Sequence, residues 1–297
     1  MTAKIIDGKA LATKVRNEVS KAVLELNKNN ITPGLATIIV GNDAASSIYI
    51  KNKGKSAKEV GINSLQYSLP ESVSEEELLK LINELNLNKD VDGILVQLPL
   101  PEKINSKIIL NAIDHSKDVD GFNIVNAANI YLNREGVIPC TPLGCLIMLR
   151  SIGQSLKGMH AVIIGRSNIV GKPMAQLLLN EDCTVTTVHS KSKNIEKIVK
   201  QADIIVAAVG IPNLVNENWV KKGAIILDVG INRINYENKT KLLGDVDFNA
   251  VQTFASYITP VPGGVGPMTI ACLLMNTVFQ CSRKNNLSLP SNLTNLF

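Results

Sequence analysis

Short apolar runs alternate with helical stretches along most of this chain, and this alternation constrains its fold more than any other feature. In the second half four runs have the composition of strands: HAVIIG (160–165), TVTTVH (184–189), DIIVAAVG (203–210) and AIILDVG (224–230). Strands that alternate with helices are joined by crossovers and build a parallel sheet. The pattern therefore predicts a doubly wound, Rossmann-like α/β domain of the nucleotide-binding type.

The first half shows the same alternation in a less regular form. Its predicted elements are helices at 8–29 and 44–60, strands at 35–41 and 64–68, a helix that Ser74 opens, and a buried strand within 91–101 that runs into a proline-rich turn. Such an order indicates a second parallel or mostly parallel sheet. The first half is therefore expected to be α/β as well.

A loop-like segment at 131–144 separates the two halves and predicts a domain boundary. We place an α/β substrate domain at 1–140 and a nucleotide-binding domain at 141–267. The long apolar helical pattern at 268–297 is expected to pack back on the first domain. The predicted architecture is two α/β domains with a cleft between them.

Composition excludes several classes of protein. The 297 residues are 45% hydrophobic and 19% charged, which is typical of a folded soluble chain. The net charge of +5 comes without basic blocks, so nucleic acid is not an expected partner. The sequence shows neither an apolar signal core near its start nor a run of about 20 apolar residues, so we expect a cytoplasmic protein that does not span a membrane. Five cysteines without ligand spacing predict free, buried thiols and no metal site.

A strand, a short turn and a helix follow one another in HAVIIGRSNIVGKPMAQLL. Gly165 and Gly171 let a backbone approach a pyrophosphate, and Pro173 falls in the first helical turn. The start of this helix is therefore a candidate anion site. The spacing is not G-x-G-x-x-G, and glycines between a strand and a helix often serve the turn alone.

The end of the next strand reads HSKSK instead of carrying the acidic residue that binds the ribose of NAD. Ser190, Lys191 and Lys193 offer a hydroxyl and positive charge, and Arg166 lies in the preceding turn. This pattern favours NADP over NAD. The alternative is a solvated basic loop.

Three segments of the chain supply candidate chemistry. Tyr49 and Lys53 are spaced i, i+4 and share one face of a helix, where a partly desolvated lysine has a lowered pKa. Gln97 ends a predicted strand, and Asp120 precedes a glycine in KDVDGFN. Each pattern also has a structural explanation: a surface pair for the first, and turn formation for Asp120. The loop TPVPGGVGPMT (259–269) is rigid, and its X-Pro bonds are candidates for a cis form.

Six motifs in order, YIKNKGK, DGILVQLPLP, KDVDGFN, GRSNIVGKPMA, HSKS and TPVPGGVGPMT, resemble the bifunctional methylenetetrahydrofolate dehydrogenase/methenyltetrahydrofolate cyclohydrolase family over nearly the whole chain. The resemblance implies NADP-dependent oxidation of methylenetetrahydrofolate, hydrolysis to formyltetrahydrofolate in one shared cleft, and a homodimer formed through the nucleotide domains.

The same resemblance implies a role for each matched residue. Lys53 is the expected acid/base, Gln97 tunes it, Tyr49 contacts the reacting ring and Asp120 holds the pterin. The remaining expected contacts are Leu98, Pro262 and Gly263 with the substrate, and Gly165, Arg166, Ser167, Ser190 and Ile231 with NADP. Gly54 departs from the expected pattern, since a larger residue is expected beside Lys53.

Two alternatives stay open at this point. A shikimate-type NADP dehydrogenase shares the two-domain plan and a lysine, although VQLPLP and GGVGPMT argue against it. A non-catalytic nucleotide-binding module would have no use for Tyr49, Lys53, Gln97 and Asp120 together.

Overall fold

The computed structural model describes residues 2–41, 44–236, 239–289 and 291–294. The chain divides into two compact units. Residues 13–140 and 270–297 form the small-sheet unit, and residues 1–12 and 141–269 form the large-sheet unit.

The small-sheet unit is built on three parallel strands in the order β3-β2-β4. These strands are β2 (Gly34–Val40), β3 (Asn63–Leu69) and β4 (Gly93–Val96). The helices that lie wholly or mostly in this unit are α1 (Gly8–Lys28), α2 (Ala44–Glu59), α3 (Glu75–Leu87), α4 (Ser106–Ala112), α5 (Ile124–Tyr131), α10 (Val265–Lys284) and α11 (Ser291–Thr294). Helices α1 and α10 each begin in the large-sheet unit. Strand β2 is buried along its whole length, as a central parallel strand must be.

Helix α3 shows how the local sequence sets an element. The Ser74 hydroxyl accepts from the Glu77 amide at 3.1 Å, and the Glu77 carboxylate accepts from the Ser74 amide at 2.8 Å. This capping box satisfies two amides at the helix start. Leu78, Ile82 and Leu85 then recur at helical spacing and are buried against the sheet. The predicted helix start at Ser74 is confirmed.

The large-sheet unit contains six parallel strands in the order β1-β11-β8-β7-β5-β6. They are β1 (Lys4–Ile5), β5 (His160–Ile164), β6 (Thr184–Val188), β7 (Ile204–Ala207), β8 (Ile225–Asp228) and β11 (Tyr257–Ile258). An antiparallel hairpin, β9 (Asn232–Tyr236) with β10 (Lys239–Leu243), stands apart from the sheet. The helices here are α6 (Cys140–Arg150), α7 (Gly171–Asn180), α8 (Ile195–Val199) and α9 (Phe248–Val251), with a 3₁₀ turn at Glu217–Trp219.

The predicted two-domain α/β class and the parallel nucleotide-type sheet are confirmed. The four strands expected in the second half are β5, β6, β7 and β8, each within a few residues of its predicted bounds. The N-terminus differs from the prediction, because β1 pairs with β11 and so extends the large sheet. A two-residue strand is too short to leave a periodic signal in the sequence.

Helix α10 is long and apolar enough to cross a membrane by length and composition, although the sequence predicted no such segment. Uncharged polar residues such as Asn276 and Gln280 interrupt its apolar run. Most of this helix is buried inside the protein, as in the core helix of a soluble protein. All five cysteines are buried thiols that form no disulfide, as the sequence predicted.

Candidate active site

Lys53 lies in α2 and is buried, with only 4% of its surface exposed. Its Nζ donates to Oε1 of Gln97 at 3.0 Å. Gln97 follows β4, and its Nε2 donates to the Leu98 carbonyl at 2.7 Å, which fixes the orientation of the amide. The carbonyl end of Gln97 is therefore the end that faces the lysine.

Burial lowers the pKa of Lys53, because a desolvated ammonium is less stable than one in water. The negative charge of Asp120 acts in the opposite direction and raises that pKa. A lysine in this environment releases and recovers a proton more readily near neutral pH than an exposed lysine does.

The turn that carries Asp120 is attached to the edge of β4. Asp118 bridges to Ile94 in parallel register, and its carboxylate accepts from the Gly121 amide at 3.0 Å and the Asn123 amide at 2.8 Å. Gly121 has a φ of +72°, so the turn needs a residue without a side chain there. Gln97 and Asp120 thus both lie at the carboxyl end of the small sheet, where parallel α/β sheets bind ligands.

Asp120 is half-buried beside Lys53, and burial raises its pKa while the positive charge of Lys53 lowers it. The sequence motif KDVDGFN contains two aspartates, and only Asp120 was expected to matter. The structure gives Asp118 a separate role as the acceptor that shapes the turn. An aspartate three residues before a glycine is a signal for such a turn.

Cys140 belongs to this cluster and was missed by the sequence analysis. Its thiol is within hydrogen-bond reach of the Val119 carbonyl, at 3.2 Å, and of the Asp120 carboxylate. Burial raises the pKa of Cys140 well above that of a free thiol, so the group is a neutral S–H. Its position in the loop between the predicted domains carried no chemical signal.

Two further predictions concern α2. Tyr49 falls within the helix, as expected, but its side chain lies outside the described residues. At Gly54, an added Cβ would come within 2.0 Å of Gln66 Nε2 and 3.4 Å of the Ser64 hydroxyl. The absence of a side chain at Gly54 therefore leaves room for the terminal amide of Gln66, which is the far end of an exposed side chain.

The proline-rich segments hold two cis peptide bonds, Leu98–Pro99 and Val261–Pro262. The second was a candidate from the sequence, and the first was not. Gly263, with a φ of +107°, accepts at its carbonyl from the Lys9 amide at 2.9 Å. Contact of Leu98, Pro262 and Gly263 with a substrate stays a prediction.

The turn after β5 is tightly packed. A Cβ at Gly165 would lie 2.3 Å from the Ala208 carbonyl oxygen, and one at Gly171 would lie 2.3 Å from the Gly165 oxygen. Strand β5 lies between β6 and β7, so the chain reverses direction across the sheet at this strand. Such a reversal opens a crevice at the carboxyl ends of the strands, where nucleotides bind.

The start of α7 differs from the expected free anion site. The Ser167 hydroxyl oxygen accepts from the Val170 amide at 3.1 Å and the Gly171 amide at 3.2 Å. The Lys172 amide donates to the Ser167 carbonyl, and Pro173 has no N–H. The chain therefore satisfies these amides itself, and a role of Ser167 in anion binding stays a prediction.

Arg166 and Ser190 are both exposed, and both follow the carboxyl ends of paired strands. The Gly165 amide donates to the Val188 carbonyl at 2.9 Å, which sets the two strand ends side by side. Ile231 is 54% exposed, with its Cδ1 3.5 Å from the place of a Cβ on Gly266. Contact of Ser190 and Ile231 with a cofactor stays a prediction.

A buried pair of aspartates supports this edge of the large sheet and was not predicted. Asp245 accepts from the amides of Val209 at 2.7 Å and Gly210 at 2.9 Å. Asp228 accepts from the amides of Asp245 at 2.9 Å and Val246 at 3.0 Å. The two carboxylates thereby join the loops that follow β7, β8 and β10.

These features define an α/β protein with a nucleotide-type parallel sheet in one unit. The other unit holds a buried lysine near the carboxyl end of a parallel sheet. Residues 6–120 match the catalytic domain of tetrahydrofolate dehydrogenase/cyclohydrolase, and residues 139–285 match its NAD(P)-binding domain. The chain belongs to the tetrahydrofolate dehydrogenase/cyclohydrolase family.

Individual relatives align over almost the whole chain. Bifunctional protein FolD 1/3 of Ruegeria pomeroyi is 54% identical and covers 99% of this chain and 100% of its own. The bifunctional FolD methylenetetrahydrofolate dehydrogenase/cyclohydrolase structure from Campylobacter jejuni is 49% identical, with a TM-score of 0.92 and coverage of 96% and 100%. The Trypanosoma brucei enzyme, solved with NADP cofactor and inhibitor, is 38% identical, with a TM-score of 0.93 and coverage of 96% and 99%.

A more distant likeness addresses the shikimate alternative. Shikimate 5-dehydrogenase from Thermus thermophilus is 14% identical, with a TM-score of 0.51 and coverage of 88% of this chain and 98% of its own. Similarity at this level shows a shared fold and gives no reason to assign that activity here.

Proposed function

We propose that this chain catalyses two consecutive reactions of one-carbon folate chemistry. The first is NADP-dependent oxidation of 5,10-methylenetetrahydrofolate to 5,10-methenyltetrahydrofolate, and the second is hydrolysis of that product to 10-formyltetrahydrofolate. Family membership of both units supports the proposal. The observation that carries it is the buried Lys53, hydrogen-bonded to Gln97 and beside Asp120.

The residues after β5 and β6 fit NADP. The packed Gly165 turn leaves no side chain over the strand end, and exposed Arg166 and Ser190 supply a guanidinium and a hydroxyl after two neighbouring strand ends. Those groups suit the additional phosphate of NADP. Gly165, Arg166, Ser167, Ser190 and Ile231 would hold the cofactor. NADP, when bound, is the hydride acceptor for the oxidation.

Asp120 and Gln97 act before either chemical step. A carboxylate accepts paired N–H bonds from an aminopyrimidine ring, so Asp120 would hold the pterin in a fixed position. The Gln97 carbonyl holds the Lys53 amine at 3.0 Å, and the amine therefore keeps a constant place relative to that ring. Alignment of this kind is what a hydride transfer mainly requires.

Lys53 acts in the hydrolysis. Water attacks the methenyl carbon and forms a C–O bond, and the neutral amine of Lys53 takes the proton that the water loses. The hydroxyl of this adduct then releases its proton to solvent, and an oxygen electron pair forms the formyl C=O bond. The bond between that carbon and the pterin-ring nitrogen N5 breaks at the same time, its electron pair stays on the nitrogen, and Lys53 returns its proton there. The lowered pKa of Lys53 makes the neutral form available for the first of these transfers.

An absorbance assay tests the proposal. Methenyltetrahydrofolate formation and decay are followed with NADP and with NAD in parallel, and we expect formation followed by decay, with NADP preferred. Asp120→Ala is expected to raise the folate KM in both reactions, because pterin binding precedes both. Absence of methenyl formation with either cofactor would refute the proposed function. Loss of only one activity would refute the pterin role of Asp120.

The oligomeric state, the cellular location and the partners of the protein belong to the same proposal. We expect a homodimer in the cytoplasm that uses no metal and binds no nucleic acid. Light scattering of the purified protein measures the mass of the assembly, and a monomer at micromolar concentration would refute the first assignment.

A further inference from the structure

Asn276, in the C-terminal helix α10, is fully buried and donates to the turn that carries Asp120. Its Nδ2 donates to the Val119 carbonyl at 2.9 Å and to the Ile138 carbonyl at 2.9 Å. The same nitrogen lies 3.6 Å from the Cys140 sulfur. The amide group thus donates to two backbone carbonyls. One belongs to the residue before Asp120, and the other lies two residues before Cys140.

The other end of this side chain is unsatisfied. The Oδ1 of Asn276 is buried and has no hydrogen-bond partner among the described residues. Burial of a carbonyl oxygen without a hydrogen-bond partner is unfavourable, whereas a leucine of similar size has no polar atom that needs a partner. Packing alone would therefore favour an apolar residue at this position. The presence of asparagine indicates that the two hydrogen bonds donated by its Nδ2 are needed.

Those donors fix the peptide that leads into Asp120. The Val119 carbonyl belongs to the peptide bond between Val119 and Asp120, so holding it prevents that peptide from rotating. The two clamped segments also touch each other, since a Cβ on Gly121 would lie 2.7 Å from the Pro139 nitrogen. Asp118 holds the opposite side of the turn.

We propose that Asn276 is a positioning residue that holds the Asp120 carboxylate in its place beside Lys53. Helix α10 thereby contributes to folate binding through the position of Asp120. The inference rests on the proposed role of Asp120 as the group that holds the pterin.

The chain offers a matched control one helical turn further on. Gln280 is also buried in α10, and its Nε2 donates to the His115 carbonyl at 3.0 Å, which lies outside the Asp120 turn. Asn276→Leu and Gln280→Met each replace a buried amide by an apolar side chain of similar size. A purely structural role would make the two variants behave alike.

We expect Asn276→Leu to raise the folate KM about tenfold in both reactions, with the NADP KM unchanged, because a displaced binding group loses alignment with its ligand. Gln280→Met is expected to change neither KM by more than about twofold. KM does not depend on the fraction of folded enzyme, so lowered stability alone would reduce only the apparent kcat. If Asn276→Leu does not accumulate as folded protein, Asn276→Ser is measured against the same control.

Three results would overturn the inference. An unchanged folate KM in the Asn276 variant, or an equal rise in the Gln280 variant, assigns Asn276 to structure alone. If Asp120→Ala raises the folate KM and Asn276→Leu does not, only the positioning role fails. If Asp120→Ala leaves that KM unchanged while both activities are present, the pterin role of Asp120 and the inference fail together.

Discussion

Lys53 is the residue at which the two proposed reactions separate. Hydrolysis needs a group that takes and returns a proton, and acid/base groups contribute about 10²–10⁴-fold to such steps. Lys53→Gln is therefore expected to suppress the cyclohydrolase rate by about that factor, while the dehydrogenase rate falls less. Methenyltetrahydrofolate should then accumulate when NADP is supplied.

Lys55→Gln is the matched control, because Lys55 lies two residues along the same helix and its side chain is 76% exposed. We expect both rates of this variant to equal those of the wild type. Normal cyclohydrolase activity in folded Lys53→Gln, with folding checked by thermal melting, would refute the role of Lys53.

The surroundings of Lys53 also predict a pH dependence. Since the neutral amine is the base, the cyclohydrolase kcat should rise with pH through the Lys53 pKa, which burial places below 10.5. The charge of Asp120 raises that pKa, so Asp120→Asn should move the rising limb to lower pH. A limb that stays in place or moves to higher pH would show that another group is titrating.

Arg166 is the residue expected to distinguish the two nicotinamide cofactors. A charged contact to phosphate contributes about 1.5–3 kcal/mol, which corresponds to about ten- to a hundredfold in affinity. Arg166→Ala should raise the NADP KM by that factor and leave the NAD KM nearly unchanged. Lys157→Ala is the control for loss of a surface charge, because Lys157 precedes the amino end of β5 and its side chain is 79% exposed. Equal use of NAD and NADP by the wild type would contradict the prediction.

At the scale of single elements, helix α2 contains Gly54, which has no role in the proposed reactions. Glycine in a helix is less favourable than alanine by about 0.5–1 kcal/mol. The closest contact of an added Cβ at Gly54 is the terminal amide of Gln66, which can turn into solvent. Gly54→Ala is therefore expected to raise the midpoint of thermal unfolding slightly without changing either activity.

Gly121→Ala provides the contrast. Its Cβ would meet backbone atoms of Pro139 and Ile138 within about 3 Å, and its φ is positive. This variant should lose stability and folate affinity together. A destabilised Gly54→Ala would show that Gln66 is held more firmly than its exposure indicates.

For the molecule as a whole, Asp228 links stability to pH. Burial raises its pKa from 3.8 to about 7, so the folded protein binds this proton more tightly than the unfolded chain does. The contribution of Asp228 to stability is therefore largest below about pH 4, declines as pH rises, and levels off above about pH 7. The expected slope in this window is at most about 1.4 kcal/mol per pH unit.

Asp228→Asn should make this slope shallower between pH 5 and 6.5, whatever it does to stability at one pH. Asp203→Asn is the control, because pairing with Lys221 lowers the pKa of Asp203 and confines its effect to lower pH. Chemical unfolding at a series of pH values measures both slopes. Equal slopes in wild type and Asp228→Asn would refute the assignment.

Features that depend on local spacing could be predicted from the amino-acid order alone. Apolar periodicity placed the main strands and helices, and Ser74 marked the start of α3, because these patterns reflect contacts within a few residues. Motif order indicated the family. Sequence also picked Lys53, Gln97 and Asp120 as candidates, but only as residues in three separate segments.

Contacts between distant segments, in contrast, became visible only in the folded chain. The bond from Lys53 to Gln97 spans 44 residues, and the bond from Asn276 to Val119 spans 157. Ser167 occupies the amides that the local pattern had left for an anion. Burial, pKa and hydrogen-bond partners depend on which distant segments pack together, and a linear pattern encodes its own periodicity but not that packing.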